Sequence, residues 1–224
     1  KLYETVRSAG DLPVASAAAA RGLALCSPAF AKQFVVAALE GDDPARRAEA
    51  IRMVPRLRAA AVTAVTGVLP DLAPDLQADL IDALAAGGCR EALAAVTTAA
   101  GSDEPAVACA ALAALGTLGD AGAVDTLVAA LGNEKTREAA AGALAKLKGE
   151  GVTAKSAAAI GAADAGVRPA LLAAAGSRGD PGLAPALVAA AADAGVARPA
   201  LRALRECGTA AQLPKLIDLL ATDL

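Results

Sequence analysis

The feature that most constrains this chain is an internal repeat of roughly 30 residues, which runs through nearly its whole length. Leu-containing stretches ending in a glycine-bearing turn place Leu23, Val54, Leu84, Leu115, Leu147, Ala174 and Leu204 in equivalent positions, at spacings of 31, 30, 31, 32, 27 and 30. A period of this length marks stacked supersecondary units, because one short unit cannot bury both of its apolar faces and must lay one on a neighbour. Seven units follow, over residues 12–40, 41–70, 71–101, 102–132, 133–163, 164–192 and 193–222, read as a single repeat domain spanning 1–224. The shortest step, between Leu147 and Ala174, implies a shortened turn near Ala163 to Gly166.

The clearest unit runs from Ser102 to Gly132 and splits into two helical halves. Pro105 suits a first helical turn, where its missing N–H costs nothing, and Ser102, Asp103 and Glu104 precede it as capping and charge-complementing residues. Val107, Ala111, Leu112 and Leu115 then form an apolar stripe at helical period, which Gly116 and Gly119 are expected to end. Asp120 opens the second half, where Val124, Leu127, Val128 and Leu131 form another apolar face before Gly132 and Asn133. Similar patterns recur along the chain, and Pro169 and Leu171 return one repeat later as Pro199 and Leu201. Pro55 falls inside a first helix, where ring and missing donor should kink it.

Composition agrees with thin layers of closely packed helix. Hydrophobic residues make up 56% of the chain but aromatic residues only 1%, and about three residues in ten are Ala. Without Trp, and with only Tyr3, Phe30 and Phe34 as aromatics, Leu and Val must meet Ala across short interhelical distances. The expected fold is all-α, an α-solenoid of about seven stacked hairpins.

These motifs resemble the HEAT repeats, and among them the short bacterial type also found in phycobilisome-lyase-like proteins. An acidic cap, an A-xx-AL-x-AL core, a G-D turn and an L-xx-L second helix all stand between Asp103 and Leu131, and the resemblance extends over roughly residues 12–222. It implies an α-α superhelix whose second helices line a concave surface, here carrying Arg90, Thr97, Asp125, Lys155 and Gln212. The Arg usual near the start of the first helix is matched by Arg47, Arg137 and Arg168, whereas Ala108 stands there in the clearest unit. A uniform polar ladder between repeats is therefore not expected.

Several kinds of chemistry lack their residues. The chain has no His, the commonest general base and metal ligand, and Cys26, Cys89, Cys109 and Cys207 are too scattered to form a CxxC. Phosphate-binding glycine motifs are missing too. No catalytic residue, metal site or cofactor is expected, so the chain reads as a non-catalytic scaffold. With 21 basic and 24 acidic residues mixed along it, nucleic acid is not an expected partner. Mean hydropathy is +0.48, yet uncharged windows such as Pro105 to Gly119 are too short to span a membrane. No signal peptide is read, and the expected location is cytoplasmic, although Lys1 in place of Met is compatible with an exported, processed chain.

Three asymmetries locate candidate binding residues. Arg198, Arg202 and Arg205 lie at i, i+4 and i+7, with Arg168 one repeat earlier; like charges on one face favour an acidic protein or peptide as partner. Phe30 and Phe34 lie one helical turn apart and either fill the core or anchor a partner. Leu213, Leu216, Ile217, Leu219 and Leu220 leave only Lys215 and Asp218 as polar cover, so further repeats or domains beyond the ends, or a docked partner, are expected. Arg47, Arg52, Arg56 and Arg58 precede Asp71, Asp75, Asp79 and Asp82, read as an ion-pair ladder between adjacent repeats, with a docking or cation-binding stripe as the alternative. The function expected is protein–protein interaction on a solenoid surface. The alternative is an accessory, chaperone-like subunit of an enzyme that handles a cofactor or pigment.

Overall fold

A computed structural model describes residue 22 and residues 27–221 of the chain. Leu23, Tyr3 and Cys26 therefore lie outside the described residues, as does the first helix expected for the first unit. Among the described residues there are thirteen α-helices and no strand. The described residues divide into two compact units, one ending at Ala111 and the other beginning at Leu112.

The first unit holds α1 (Pro28–Glu40), α2 (Pro44–Met53), α3 (Ala59–Thr66), α4 (Pro74–Ala86), α5 (Leu93–Ala99) and the beginning of α6 (Pro105–Leu118). Proline opens α1, α2, α4 and α6, where the first-turn N–H has no helical acceptor to lose. Ser27 Oγ accepts from the Phe30 N–H at 3.3 Å, and Asp43 Oδ1 accepts from the Ala45 N–H at 2.9 Å, capping α1 and α2. α2 packs on α4, while α1 packs on α2 and α3, which separates first helices from second helices into two layers. Pro55 does more than kink its helix. α2 ends at Met53, Val54–Arg56 tightens into a 3-10 turn, and Leu57 is extended at ψ 150°. That turn packs on α4, and a Cβ at Gly87 would lie 2.6 Å from the Pro55 Cα.

The second unit holds the rest of α6, then α7 (Ala123–Ala130), α8 (Arg137–Lys146), α9 (Val152–Ala162), α10 (Arg168–Arg178), α11 (Ala184–Ala191), α12 (Ala197–Cys207) and α13 (Leu213–Ala221). First helices touch in succession, α8 on α10 and α10 on α12, and second helices do the same, α7 on α9 and α9 on α11. Asp-x-Gly turns join them: Asp120, Asp180 and Asp193 each accept, through Oδ1, the N–H of the Gly two positions on, at 2.7, 2.9 and 3.0 Å. The core is aliphatic, with Leu112, Leu115, Leu127, Leu131, Leu147 and Ile160 all essentially inaccessible.

Two glycines show how closely the first helices approach. Gly116 lies within α6 and does not end it; a Cβ there would sit 2.7 Å from the Ala143 Cα of α8. Gly176 of α10 stands in the same relation to Ala203 of α12, at 3.0 Å. The expectation of a shortened turn after α9 is also corrected. Residues 163–167 separate α9 from α10, as residues 192–196 separate α11 from α12. The odd step arises because Leu147 is the C-cap of α8, its N–H bonded to the Ala143 carbonyl at 2.8 Å, whereas Ala174 lies well inside α10.

Candidate functional site

α12 presents the arginine stripe. Arg202 and Arg205, with Pro199 and Glu206, form one wall of a groove of about 720 Å3. Pro169, Ala173 and Ser177 of α10 form the other wall, and Gly176 and Ala203 lie between. The groove exists because small residues sit where the two helices meet, so the helices close up below and leave a trough above. Among the described residues, Arg198 and Arg202 have no carboxylate within 4 Å, while Arg205 Nη2 pairs with its neighbour Glu206 at 2.9 Å. Exposed like charges a turn apart repel, and a negatively charged ligand relieves that.

Arg168 lies elsewhere. Its side chain is only 21% exposed; Nε donates to the Ile160 carbonyl at 3.1 Å and Nη1 to Asp193 Oδ2 at 3.0 Å. Arg137 does the same one hairpin earlier, donating Nε to the Leu131 carbonyl at 3.0 Å. An Arg at the start of a first helix thus closes the C-terminal end of the preceding second helix, where carbonyls lack helical partners and the dipole favours a cation.

A polar junction that the sequence reading did not single out joins two hairpins of this unit. Arg178, at the end of α10, donates through Nη1 to the carbonyls of Leu144 and Leu147 at the end of α8 and through Nε to Asp180 Oδ2 at 3.3 Å. The same carboxylate oxygen accepts from the Thr153 hydroxyl of α9 at 2.5 Å. Thr153's hydrogen bond, with help from the Gly182 N–H and Arg178, holds the Asp180 carboxyl below the usual range despite some burial. The signal for it was present. Gly116-Thr-Leu-Gly-Asp120 returns as Gly176-Ser-Arg-Gly-Asp180, so Arg178 replaces the buried Leu118. Lys146, Lys148 and Arg178 face an adjoining cleft of about 540 Å3.

In the first unit, the rings of Phe30 and Phe34 stack at 6.0 Å with an 18° interplanar angle. Both are half-buried against Met53 and Ala61, on which Leu57 also packs. The cleft beside them is about 230 Å3, below the range of small-molecule sites. The ladder of arginines and aspartates is not formed: Arg47 pairs with Asp42 at 3.7 Å and Arg52 with Glu49 at 2.8 Å on its own helix. Among the described residues no ion pair joins the two sets, and no three His, Cys, Asp or Glu side chains come together as a metal site. Asp82, partly buried and beside Asp79, has its carboxyl raised. Burial likewise raises the Cys89 and Cys207 thiols.

Of the polar residues expected on the second helices, Lys155 of α9 and Asp125 of α7 form an ion pair at 2.6 Å. Thr97, exposed, donates its hydroxyl to the Leu93 carbonyl of its own helix, and Gln212 accepts from the Thr209 N–H at 2.8 Å. Arg90 is exposed at the head of the turn before α5. No described helix is long and apolar enough to cross a membrane.

Stacked two-helix hairpins with small residues at the helix contacts, short Asp-x-Gly turns and arginine-closed helix ends define an all-α repeat array. Residues 63–145 match the family model described as HEAT repeats. Among curated proteins none matches. Two solved structures resemble the chain at low identity. YibA of E. coli is 16% identical with a TM-score of 0.47, the likeness covering 99% of this chain and 90% of that one. Human deoxyhypusine hydroxylase in complex with glycerol is 18% identical with a TM-score of 0.41, covering 100% of this chain and 91% of that one. The second is an enzyme by name, and the expectation that this chain is not one is not upheld.

Proposed function

We propose that this chain is a HEAT-type scaffold that binds another protein through an acidic segment laid in the groove between α10 and α12. The observation that carries this is the groove itself, whose wall holds Arg202 and Arg205 and whose floor is Gly176 and Ala203. Small apolar residues accept backbone and short side chains, and the guanidiniums fix carboxylates by paired N–H donors. Arg198 extends the charge one turn beyond the groove, and Arg168, committed to Asp193 and Ile160, acts as structural support. Phe30 and Phe34, in the other unit, act as core.

The test is fluorescence anisotropy with a short labelled peptide of alternating Glu and Ala, and a Lys–Ala peptide as control. The acidic peptide binds, with affinity falling as salt rises, and Arg202→Glu with Arg205→Glu weakens it at least tenfold without changing the circular dichroism. Equal binding of both peptides, or unchanged binding by the double variant, contradicts the reading.

A further inference from the structure

The cleft of about 540 Å3 beside the Arg178 junction lies where α6, α8 and α10 end, and its size is that of a small-molecule site. Thr117, Lys146, Lys148 and Arg178 line it, with Asp180 as its one carboxylate. It shares no residue with the groove between α10 and α12.

Cations at helix ends ordinarily serve the last carbonyls. In this cleft those carbonyls are already served. Arg178 Nη1 donates to the Leu144 and Leu147 carbonyls that end α8, and the Gly119 N–H donates to the Leu115 carbonyl of α6 at 2.9 Å. Lys146 and Lys148, both exposed, make no hydrogen bond and have no carboxylate within 4 Å among the described residues. Asp180 does not neutralise them, because both of its oxygens are taken. Oδ2 accepts from Thr153 at 2.5 Å and from Arg178 Nε at 3.3 Å, and Oδ1 accepts from the Gly182 N–H at 2.9 Å. Arg178 and Asp180 thus match each other, and the charge of the two lysines is left uncompensated.

A neutral donor stands with them. The hydroxyls of Thr97 and Thr98 donate back to their own helix at 2.8 and 3.1 Å, whereas the exposed Thr117 hydroxyl makes no hydrogen bond among the described residues. The unpaired charge is particular to this cleft and does not come with the repeat. Two repeats on, Ser177 stands in the place of Thr117, but Glu206 stands in the place of Lys146 and pairs with Arg205 at 2.9 Å.

We propose that this cleft binds a phosphomonoester, carried by a small molecule or by a phosphorylated residue of a bound protein. Such a group bears a charge of about −1.5 to −2 near neutral pH, which the two lysines match, and its oxygens accept from the ammoniums and the Thr117 hydroxyl. A carboxylate or a sulfate ester brings about half that charge. The site does not depend on a peptide lying between α10 and α12.

The test is isothermal titration calorimetry of the full chain with phenyl phosphate, with phenyl sulfate as the monoanionic control and a phosphoserine pentapeptide as a second ligand. Phenyl phosphate binds with a dissociation constant of about 1 mM or below, and phenyl sulfate at least about fivefold more weakly. Lys146→Gln with Lys148→Gln weakens phenyl phosphate binding at least about tenfold with circular dichroism unchanged, while Arg202→Glu with Arg205→Glu leaves it within about twofold. Tighter binding of the phosphopeptide than of phenyl phosphate assigns the group to a protein partner; otherwise it belongs to a small molecule. No saturable binding up to about 10 mM, equal affinity for the phosphate and sulfate esters, or affinity that the lysine variant leaves unchanged overturns the proposal. Loss of binding in the Arg202 and Arg205 variant also overturns it, because the ligand then sits in the other groove.

Discussion

Arg178→Ala probes the tie between two successive hairpins of the second unit. The Arg178 and Asp180 side chains are 14% and 24% exposed, so neither is fully hydrated, and the guanidinium also serves the carbonyls that end α8. Removing it leaves a half-buried carboxylate without its cation, held only by the Thr153 hydroxyl and the Gly182 N–H, and two carbonyls without their donor. Breaking a buried pair costs about 3–5 kcal/mol, and the residual exposure here places the expected loss near the lower end, at about 3 kcal/mol. For a unit of this size that is a fall in melting temperature of roughly 10 °C, followed by circular dichroism at pH 7. Arg178→Lys loses about half as much, since an ammonium cannot span carboxylate and carbonyls together. The sign with pH follows from the depressed Asp180 carboxyl: its contribution is complete above the unfolded carboxylate pKa of about 4 and is lost as pH falls through the lower folded value. The gap between wild type and Arg178→Ala therefore narrows in strong acid to the part that comes from the Leu144 and Leu147 carbonyls. A fall below about 2 °C at neutral pH, or a difference that grows on acidification, refutes the reasoning.

Other outcomes follow from the packing. Gly116→Val forces α6 and α8 apart, because a Cβ would lie 2.7 Å from Ala143 Cα, and it lowers denaturant stability by about 1–3 kcal/mol or more. Leu127→Ala, at a site with 0% exposure, costs about 2–5 kcal/mol by the same measurement. Lys155→Ala removes the short contact to Asp125, but with side chains 38% and 73% exposed the loss is below about 1 kcal/mol and vanishes in roughly 1 M salt.

The hairpin layout was legible because helix starts are written locally, in Pro28, Pro44, Pro74 and Pro105, and turns in Asp-x-Gly. What escaped depends on contacts between distant residues. Gly116 reads as a helix end by itself; only Ala143 lying against it explains why glycine is needed inside α6. The arginine and aspartate sets looked complementary, but spacing along the chain does not say which way a side chain turns, and Arg52 finds Glu49 one turn back. Arg178 was visible only by comparing GTLGD with GSRGD, since a lone Arg at a helix end ordinarily serves its own carbonyls. The arginine stripe was seen, but not the trough beside it, which needs Gly176 and Ala203 together. The reading against catalysis weighed the missing His and overlooked that function sits on this fold independently of it.

The central claim is that first helices of successive hairpins stack in direct contact at their small residues. Gly176→Cys with Ala203→Cys, in a chain with its native cysteines replaced by Ala, tests it most directly. A Cβ at Gly176 would lie 3.2 Å from the Ala203 Cβ, a few tenths of an ångström inside the range of about 3.5–4.5 Å that a disulfide spans. Mild oxidation should form the α10–α12 bridge in nearly every molecule, read as the loss of two hydrogens in the intact mass, reversible by reductant. Two thiols that both remain open to alkylation after oxidation would contradict the stacked arrangement.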